Sequence, residues 1–358
     1  MSIFHNLKIK KVVQETSDAI SVEFEKPAEL ENDFQYIQGQ HLTLKAKIDG
    51  EELRRSYSIC SAVSEQKLRV AIKQIENGKF STYAKQNFRE GDVLEVMVPQ
   101  GRFFTDLDPS NTKNYLCVAA GSGITPILSI VKSILETEPQ SSVSLVYGNR
   151  TVSSILFLEE LEDLKNKYPT RMNLLHILSR EEQDSELFNG RISAEKCAQI
   201  LDGPLKGIKV DDAFICGPEQ MTLDVKSCLI SKGVDKSNIH FELFITDAAI
   251  ADSRERVAAD KQVSGPNHVV KVVLDGSSTE VTIAEEGVSI LDAALEAGVD
   301  VPFACKGGVC STCRAKVLQG DVRMDINYAL EDDEVDDGYV LTCQSHPLSD
   351  DVIVDFDQ

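Results

Sequence analysis

Four cysteines near the C-terminal end constrain this chain more than any other feature of its sequence. Cys305, Cys310 and Cys313 follow one another in a C-x4-C-x2-C spacing, and Cys343 lies further downstream. This spacing is typical of a 2Fe-2S cluster, because each of its two tetrahedral irons takes two bridging sulfides and two protein thiolates. A triplet on one loop and a single distant thiolate can supply that geometry.

A structural zinc site is the competing interpretation of the same thiols. Structural zinc usually shows two separated C-x2-C-like pairs, whereas this chain has a triplet and a singlet. Gly307 and Gly308 also lie inside the triplet, where positive φ angles would turn backbone N–H groups toward the sulfurs. We therefore favour the cluster, with all four cysteines as its ligands.

The length and the cysteine total show that this cysteine-bearing segment is only one part of the chain. At 358 residues the chain suits two or three domains. Its nine cysteines make an odd total, which argues against a disulfide framework, so the five that are not cluster ligands should be mostly small buried side chains. No signal-peptide pattern and no window of membrane-spanning length is present, and we expect a cytoplasmic protein.

The charge excludes two classes of partner. A net charge of −21 argues against nucleic acid and against anionic membrane surfaces, since both need cationic patches. The acidity is concentrated after Gly265, where five Lys and Arg face nineteen Asp and Glu. Residues 331–337 hold six acids in seven positions, which is equally consistent with a solvated face and with a docking surface for a basic partner.

Residues 1–108 show a period-two alternation of apolar and polar side chains. Short strands of this kind, separated by glycine and polar turns, predict an antiparallel barrel or sandwich. The alternating apolar sets are Ile20/Val22/Phe24, Leu42/Leu44/Ala46, Leu68/Val70/Ile72 and Leu94/Val96/Val98.

Two short motifs in this segment suit a cofactor. In Arg55-Ser-Tyr57-Ser58 a guanidinium could pair with a phosphate and a phenol could stack on a flat ring. Gly78-Lys-Phe-Ser81-Thr82 precedes a helix that we predict over residues 83–87, whose backbone donors would suit a pyrophosphate. Each motif is weak alone, because such tetrapeptides and helix caps are common.

Residues 109–245 change to alternating apolar strands and helices, which predicts a doubly wound α/β parallel sheet. A buried strand over residues 115–120 leads into Gly121-Ser-Gly123-Ile-Thr125-Pro126. We expect Thr125 to cap a helix and Pro126 to lie in its first turn, so that the glycine loop forms a phosphate cradle. Later strands are predicted at Val143–Tyr147, Met172–Leu178, Ala213–Cys216 and Ile239–Phe244.

Taken in order, these motifs resemble the ferredoxin–NADP reductase superfamily, in which a barrel holds FAD and an α/β domain holds the nicotinamide nucleotide. The matching segments are Arg55–Ser58, Gly78–Thr82, Gly101–Phe103, Tyr147–Arg150, Leu178–Glu181, Cys216–Met221 and Phe241–Phe244. The resemblance covers essentially all of residues 1–245. FMN in place of FAD stays open.

The resemblance implies a role for each matched residue. Arg55 would contact the flavin pyrophosphate, Tyr57 would stack on the isoalloxazine, and Ser58 would lie near flavin N5. Cys216 and Glu242 would sit beside nicotinamide C4, where hydride passes to flavin N5, so Ser58, Cys216 and Glu242 are the expected catalytic residues. The alternative for Cys216 is a core thiol at a strand end. The further cofactor-binding residues that it implies are Gly78, Ser81, Thr82, Gly121, Gly123, Thr125, Gly217, Pro218 and Phe244, the last covering the flavin face.

Ser179 and Arg180 carry the choice of nicotinamide cofactor. A hydroxyl and a guanidinium at a strand end can hold a 2′-phosphate that a carboxylate would repel, so we expect NADPH. The alternative is that Arg180 only neutralises the neighbouring Glu181 and Glu182.

The remaining chain divides into a linker and a third domain. Residues 246–265 are small and charged, which suits a tether. Residues 266–358 begin with an alternating strand at 270–274, which is followed by a helix over 289–297 and the cysteine loop. This is the β-grasp order of a ferredoxin domain, and the segment resembles plant-type ferredoxins.

This order of flavin, nicotinamide and 2Fe-2S modules resembles the reductase components of bacterial multicomponent oxygenases, most closely one whose partner holds a di-iron centre. The resemblance implies electron transfer from NADPH through FAD and the cluster to an oxygenase component. Two alternatives stay open. The acceptor could be an aromatic-ring dioxygenase or an alkane or fatty-acid oxygenase, or the protein could be a non-catalytic electron carrier or redox sensor.

Overall fold

The computed structural model describes residues 4–244, 268–283 and 287–358. The chain divides after Phe244 into two compact units, Met1–Phe244 and Ile245–Gln358. The predicted linker, residues 246–265, lies outside the described residues. Within the described ranges, no helix has the length and apolar character that crossing a membrane requires.

The first unit begins with a six-stranded antiparallel sheet. Its strands are β1 (Phe4–Thr16), β2 (Ala19–Phe24), β3 (His41–Ile48), β4 (Glu51–Ser58), β5 (Leu68–Lys73) and β6 (Val93–Met97), in the order β4-β3-β6-β1-β2-β5. The two edge strands meet where Ile59 bridges Val70 and the Cys60 N–H donates to the Arg69 carbonyl at 2.8 Å. The sheet therefore closes on itself, which confirms the predicted antiparallel barrel.

The alternating pattern is what fills this barrel. Ile20, Val22 and Phe24 on β2 are buried in one core with the apolar residues of β3 and β5. Helix α1 (Lys79–Asn87) packs Phe80 and Ala84, one turn apart, into the same core. This burial explains why the helix begins at Lys79, four residues before the start that we predicted.

The second sheet of this unit is fully parallel. Its strands are β7 (Asn114–Ala120), β8 (Ser142–Asn149), β9 (Met172–Leu178), β10 (Asp212–Gly217) and β11 (Ile239–Leu243), in the order β11-β10-β7-β8-β9. Helices α2 (Ile124–Thr137) and α3 (Leu158–Lys167) cover one face, and α4 (Ala194–Asp202) and α5 (Glu219–Ser231) cover the other. The doubly wound α/β domain is confirmed.

A group of charges around the buried Lys132 joins the barrel to this α/β layer. The Arg69 guanidinium on β5 donates from Nη2 to both carboxylate oxygens of Glu160 on α3, each at 2.8 Å. Lys132 on α2 pairs with Glu160 and, at 2.6 Å, with Glu65, which lies between β4 and β5. The Lys132 side chain is only 9% exposed, so these pairs fix the two sheets of the first unit against each other.

The second unit is a mixed sheet with one helix packed on it. Its strands are β12 (His268–Leu274), β13 (Ser277–Ile283), β14 (Arg314–Gln319), β15 (Val322–Met324), β16 (Tyr339–Leu341), β17 (Ser345–Pro347) and β18 (Val352–Asp355). Five strands follow the order β13-β12-β18-β14-β16, while β15 and β17 form a separate pair. Helices α6 (Ile290–Glu296) and α7 (Asp332–Asp336) complete the described part.

Local signals in the sequence account for helix α6. The Ser289 hydroxyl accepts the Asp292 N–H at 3.1 Å and so caps its first turn. Gly298 follows the helix with a φ of +80°, as expected of a glycine that ends one. Ile290, Leu291 and neighbouring residues of α6 pack into the core of the mixed sheet. The predicted β-grasp domain is confirmed.

Candidate cofactor sites

Strand β4 carries the first group of predicted site residues. Arg55 and Tyr57 lie two residues apart and therefore on the same face of the strand, while Ser58 is on the other. The Tyr57 ring is half-buried and packs 5.8 Å from the ring of Phe80 in the barrel core. The Arg55 Nη1 donates to the Arg54 carbonyl at 2.8 Å. One face of β4 thus presents a cation and an aromatic ring.

The start of α1 differs from the prediction. Because the helix begins at Lys79, Ser81 and Thr82 lie inside its first turn. The buried Ser81 hydroxyl accepts the Ile75 N–H at 3.2 Å and donates to the Gly78 carbonyl at 3.3 Å. That hydroxyl therefore holds the turn together, and what this segment offers to an anion is the set of N–H groups at the helix start.

Gly78 is required by the tightness of this turn. A Cβ at this position would lie 2.4 Å from Cγ1 of Ile75 and 2.6 Å from the Ser81 hydroxyl oxygen. The Thr82 hydroxyl accepts from the Gln74 amide at 3.2 Å. The turn can therefore close in this way only while residue 78 has no side chain.

Gly39 is another position that requires glycine, although no motif marked it in the sequence. Its φ is +88°, and a Cβ there would lie 1.9 Å from the Phe103 carbonyl oxygen. The glycine thus lets the loop before β3 lie directly against the Gly101–Phe103 motif. The sequence signal that could have found it is a glycine close to the start of a predicted strand, here two residues before β3.

Three residues predicted to be catalytic come together although they are far apart in sequence. Ser58 ends β4, and its hydroxyl donates to Oε2 of Glu242 at 3.5 Å. Glu242 on β11 lies directly beside Cys216 on β10 in the parallel register. Burial raises the pKa of the Cys216 thiol well above its usual value, and the charge of Glu242 raises it further. Cys216 is therefore a neutral thiol here, not a thiolate.

The glycine loop after β7 lies against the end of β10. A Cβ on Gly123 would lie 2.2 Å from the Cys216 carbonyl oxygen, so only glycine fits. Gly121 has a φ of +55° and its carbonyl accepts the Tyr147 hydroxyl at 2.9 Å. The loop thus brings the start of α2 beside Cys216.

Thr125 is not the helix cap that we predicted. Gly121–Gly123 form a short 3-10 turn and α2 begins at Ile124, which places Thr125 in the first helical turn. Its buried hydroxyl donates back to the Ser122 carbonyl at 3.0 Å. Continuous helical backbone from the glycines onward leaves no extended residue for a side-chain cap.

Gly217, Pro218 and Phe244 meet beside this loop. Pro218 immediately precedes α5, and a Cβ on Gly217 would lie 2.7 Å from Cε of Met221. The Phe244 N–H donates to the Gly217 carbonyl at 3.3 Å, and its half-buried ring packs on the core that includes Cys216. The predicted nicotinamide-site residues therefore surround the carboxyl ends of β7, β10 and β11.

Ser179 and Arg180 lie at the carboxyl end of β9, away from that group. The Ser179 N–H donates to the Asn149 carbonyl at 3.0 Å, and the Arg180 N–H donates to the Arg150 carbonyl at 2.8 Å. Arg180 is exposed, and the described residues give it no ion pair. Glu181 instead accepts the Val152 N–H at 2.8 Å, so its carboxylate is engaged elsewhere.

The four C-terminal cysteines are grouped in two pairs. The Cys305 and Cys310 thiols share a hydrogen bond that lowers the pKa of Cys305 and raises that of Cys310. A second shared hydrogen bond raises the pKa of Cys313 and lowers that of Cys343. Cys310, Cys313 and Cys343 are buried and Cys305 is half-buried. Two pairs match what two irons require, with two thiolates for each.

The loop around these thiols directs backbone N–H groups at sulfur. The Gly307 N–H donates to Sγ of Cys305 at 3.3 Å. Gly308 has a φ of +76°, and a Cβ there would lie 2.8 Å from the Ile326 carbonyl oxygen. Across residues 4–244, 268–283 and 287–358, no three His, Cys, Asp or Glu side chains are grouped as ligands of a single ion.

The acidic run forms helix α7 and its flanks. Glu331 and Glu334 make a capping box at its start, and Glu334 also pairs with the Arg314 guanidinium at 3.1 Å. The other acids of the run are exposed. Two of the six therefore have structural roles, and the four others are exposed, as both a solvated face and a docking surface require.

Comparison with known proteins agrees with this arrangement along the whole chain. Residues 6–104 match an oxidoreductase FAD-binding domain, residues 117–227 an oxidoreductase NAD-binding domain, and residues 272–348 a 2Fe-2S iron-sulfur cluster binding domain. The chain thus carries domains for the three predicted types of cofactor.

Two relatives are similar over nearly their full lengths. One subunit of the 1,2-phenylacetyl-CoA epoxidase of Escherichia coli (strain K12) is 48% identical, over 100% of this chain and 99% of the relative. The ferredoxin reductase component of the 3-ketosteroid-9-alpha-monooxygenase of Rhodococcus rhodochrous is 33% identical, over 98% of this chain and 96% of the relative.

The solved structure of phthalate dioxygenase reductase, 23% identical, matches with a TM-score of 0.60 over 99% of this chain and 98% of that one.

Proposed function

This chain belongs to the family of oxygenase reductase components that carry FAD-binding, NAD-binding and 2Fe-2S domains, and we propose that it transfers electrons from NADPH to a di-iron phenylacetyl-CoA epoxidase. The identity of 48% over the whole chain, against 33% for the ketosteroid relative, supports this acceptor. When bound, FAD would accept a hydride from the nicotinamide, and the cluster would carry single electrons onward.

The meeting of Ser58, Glu242 and Cys216 is the observation that carries the proposal. It brings a residue of the barrel within 3.5 Å of a residue of the parallel sheet, at the edge where parallel sheets bind nucleotides. The Glu242 carboxylate holds the Ser58 hydroxyl in place. The Cys216 thiol beside this carboxylate is neutral, so it adds no further charge where a flavin ring and a nicotinamide would meet.

The residues around this point fit a flavin and a nucleotide. Tyr57 offers a half-buried ring for stacking and Arg55 a cation for the pyrophosphate, with the N–H groups at the start of α1 as further donors. A side chain at Gly123 or Gly217 would collide with its neighbours, so these glycines let the loop after β7 pack closely against the end of β10. The N–H groups at the start of α2 would then lie beside a bound phosphate.

Arg180 supports NADPH as the donor. The exposed guanidinium has no ion-pair partner among the residues that the structure describes, and Glu181 is bonded to the Val152 N–H. A 2′-phosphate would give Arg180 a charge-assisted partner, with the Ser179 hydroxyl beside it. This arrangement favours binding of a phosphate over mere neutralisation of neighbouring acids.

The paired thiols of Cys305, Cys310, Cys313 and Cys343 would hold the cluster. Their burial and the N–H groups directed at sulfur fit a group that carries negative charge. We place the protein in the cytoplasm, because its five other cysteines are all buried and free, as expected in a reducing compartment.

A reconstitution experiment tests the acceptor. The purified chain is mixed with the catalytic subunits of a phenylacetyl-CoA epoxidase, NADPH and phenylacetyl-CoA, and NADPH consumption is compared with that of a mixture containing a 3-ketosteroid monooxygenase and its substrate. The proposal predicts epoxide formation coupled to NADPH only in the first mixture. Equal turnover with both oxygenases would contradict the assigned acceptor, and no NADPH oxidation with any electron acceptor would refute the reductase.

A further inference from the structure

Gln344 directly follows Cys343, and its side chain is turned back onto the cysteine site. The residue is only 3% exposed. Its amide nitrogen lies 2.8 Å from the Lys306 carbonyl oxygen, 2.8 Å from the Cys343 carbonyl oxygen and 3.5 Å from the Cys343 sulfur. One side chain therefore contacts both the loop that carries the cysteine triplet and the distant fourth cysteine.

The two hydrogens of this amide have different partners. A glutamine amide nitrogen carries two hydrogens, and the Lys306 carbonyl accepts one of them. The second lies between the carbonyl oxygen and the sulfur of Cys343. Sulfur becomes the better acceptor as negative charge accumulates on it, so this hydrogen bond to Cys343 would strengthen when the cluster is reduced by one electron.

The surrounding residues fix the Gln344 side-chain amide in its position. A Cβ on Gly308 would lie 3.2 Å from Cγ of Gln344, so the side chain lies against the glycine backbone. The Asp325 N–H donates to the Gln344 carbonyl at 2.8 Å and fixes the main chain of the residue. In this buried setting the amide cannot exchange its partners for water, and its dipole acts in a low dielectric.

We propose that Gln344 is a positioning residue that raises the reduction potential of the cluster by donating a hydrogen bond to the Cys343 sulfur. The inference rests on the proposed function, since it takes the four cysteines as cluster ligands. The added negative charge of the reduced cluster is stabilised by the fixed N–H, whereas the oxidised cluster gains less from it. Loss of the amide therefore favours the oxidised state.

The direct test is a redox titration of Gln344→Leu in the full chain, followed by electron paramagnetic resonance. We expect the equilibrium constant for one-electron reduction to fall about tenfold, which is a potential about 59 mV more negative. Ser345→Ala is the matched control, because the Ser345 hydroxyl is fully buried and donates to the Leu341 carbonyl at 2.8 Å. In this control, the logarithm of the equilibrium constant should change by less than about a third of the change expected for Gln344→Leu.

Iron and sulfide content separates failure of this inference from failure of the proposed function. A Gln344→Leu protein with a full cluster and the wild-type potential would overturn the role of Gln344 and leave the reductase intact. A wild-type protein that binds no iron and sulfide would refute the cluster assignment itself.

A second measurement needs no destabilising variant. The wild-type protein is labelled with ¹⁵N in its glutamine side chains, reduced, and studied by pulsed paramagnetic resonance. We expect a ¹⁵N hyperfine coupling to the cluster spin. Gln319→Leu is the control variant, and the coupling should persist in it because Gln319 is exposed on β14. Absence of the coupling in the labelled wild type would overturn the hydrogen bond.

Discussion

The cofactor sites of the two units are built in opposite ways. In the first unit, Ser58, Cys216 and Glu242 come from three strands of two different sheets. In the second, three of the four thiols lie on one loop. The first site therefore depends on tertiary packing, whereas the second depends on local backbone geometry and on one further cysteine.

This difference shows where each site is vulnerable. Arg69, Glu160, Lys132 and Glu65 hold the barrel against the parallel sheet, so the first site is sensitive to changes far from any cofactor. The cluster loop depends on N–H groups and on Gly308, whose position admits no side chain. A change in one unit should leave the chemistry of the other in place.

Removal of one cluster thiolate should have the largest effect, because it should stop electron transfer in the second unit and leave the first unit active. Cys310→Ser should abolish electron delivery to a cytochrome-type acceptor, because the cluster loses a ligand, and should preserve NADPH-to-ferricyanide activity in the first unit. Both activities are measured by stopped-flow spectroscopy, with Cys228→Ser as the control for a buried cysteine in α5. Loss of both activities in Cys310→Ser alone would contradict independent units.

Disruption of the buried charges should come next. Lys132→Met leaves Glu65 and Glu160 without their shared cation, and should lower the free energy of unfolding of the first unit by about 3 kcal/mol. Urea unfolding is followed by flavin fluorescence for the first unit and by visible circular dichroism of the cluster for the second. Lys209→Met is the control, since its pair with Asp211 involves a side chain that is 87% exposed, and should cost less than about 0.5 kcal/mol. An equal loss in both variants would show that the buried pairs do not join the sheets.

Acid should weaken the first unit through His41. Burial lowers the pKa of His41 from its usual 6.5 to about 4. The unfolded chain therefore binds a proton that the folded chain does not, so stability is full above pH 6.5 and falls by up to about 3 kcal/mol as the pH drops toward 4. His41→Gln should remove this part of the pH dependence of unfolding. Identical pH profiles for the wild type and the variant would contradict the buried neutral imidazole.

The smallest effect should come from the choice of nucleotide. Arg180→Ala should raise KM for NADPH by about 10- to 100-fold, the range of a charge-assisted hydrogen bond, and change KM for NADH by less than about twofold. Steady-state kinetics with ferricyanide measure both constants. Arg191→Ala serves as a matched loss of one exposed cation. Equal effects on the two nucleotides would exclude contact with the 2′-phosphate.

Much of the fold could be predicted because it follows from local patterns in the sequence. The period-two alternation marked the barrel strands, the change to apolar strands and helices marked the parallel sheet, and Ser289 and Gly298 marked the ends of α6. The cysteine spacing also placed the thiols in one neighbourhood, since three of them lie on one loop.

The remaining features depend on contacts between distant segments, which no local pattern predicts. Lys79 starts α1 because Phe80 is buried in the barrel, and Thr125 loses its capping role because α2 continues directly from the glycine turn. Gly39 is required by its close contact with Phe103, and Gln344 reaches the cysteine site through Lys306 and Cys343. Such residues become visible when distant segments are brought together.

An anaerobic titration with NADPH tests the central claim, that one chain passes electrons from the nucleotide through the flavin to the cluster. The purified protein is titrated while the flavin absorbance and the paramagnetic signal of the reduced cluster are recorded together. We predict that NADPH bleaches the flavin and produces the signal of a reduced 2Fe-2S cluster in wild type, and bleaches the flavin alone in Cys310→Ser. A cluster signal that never develops while the flavin is fully reduced would contradict the relay.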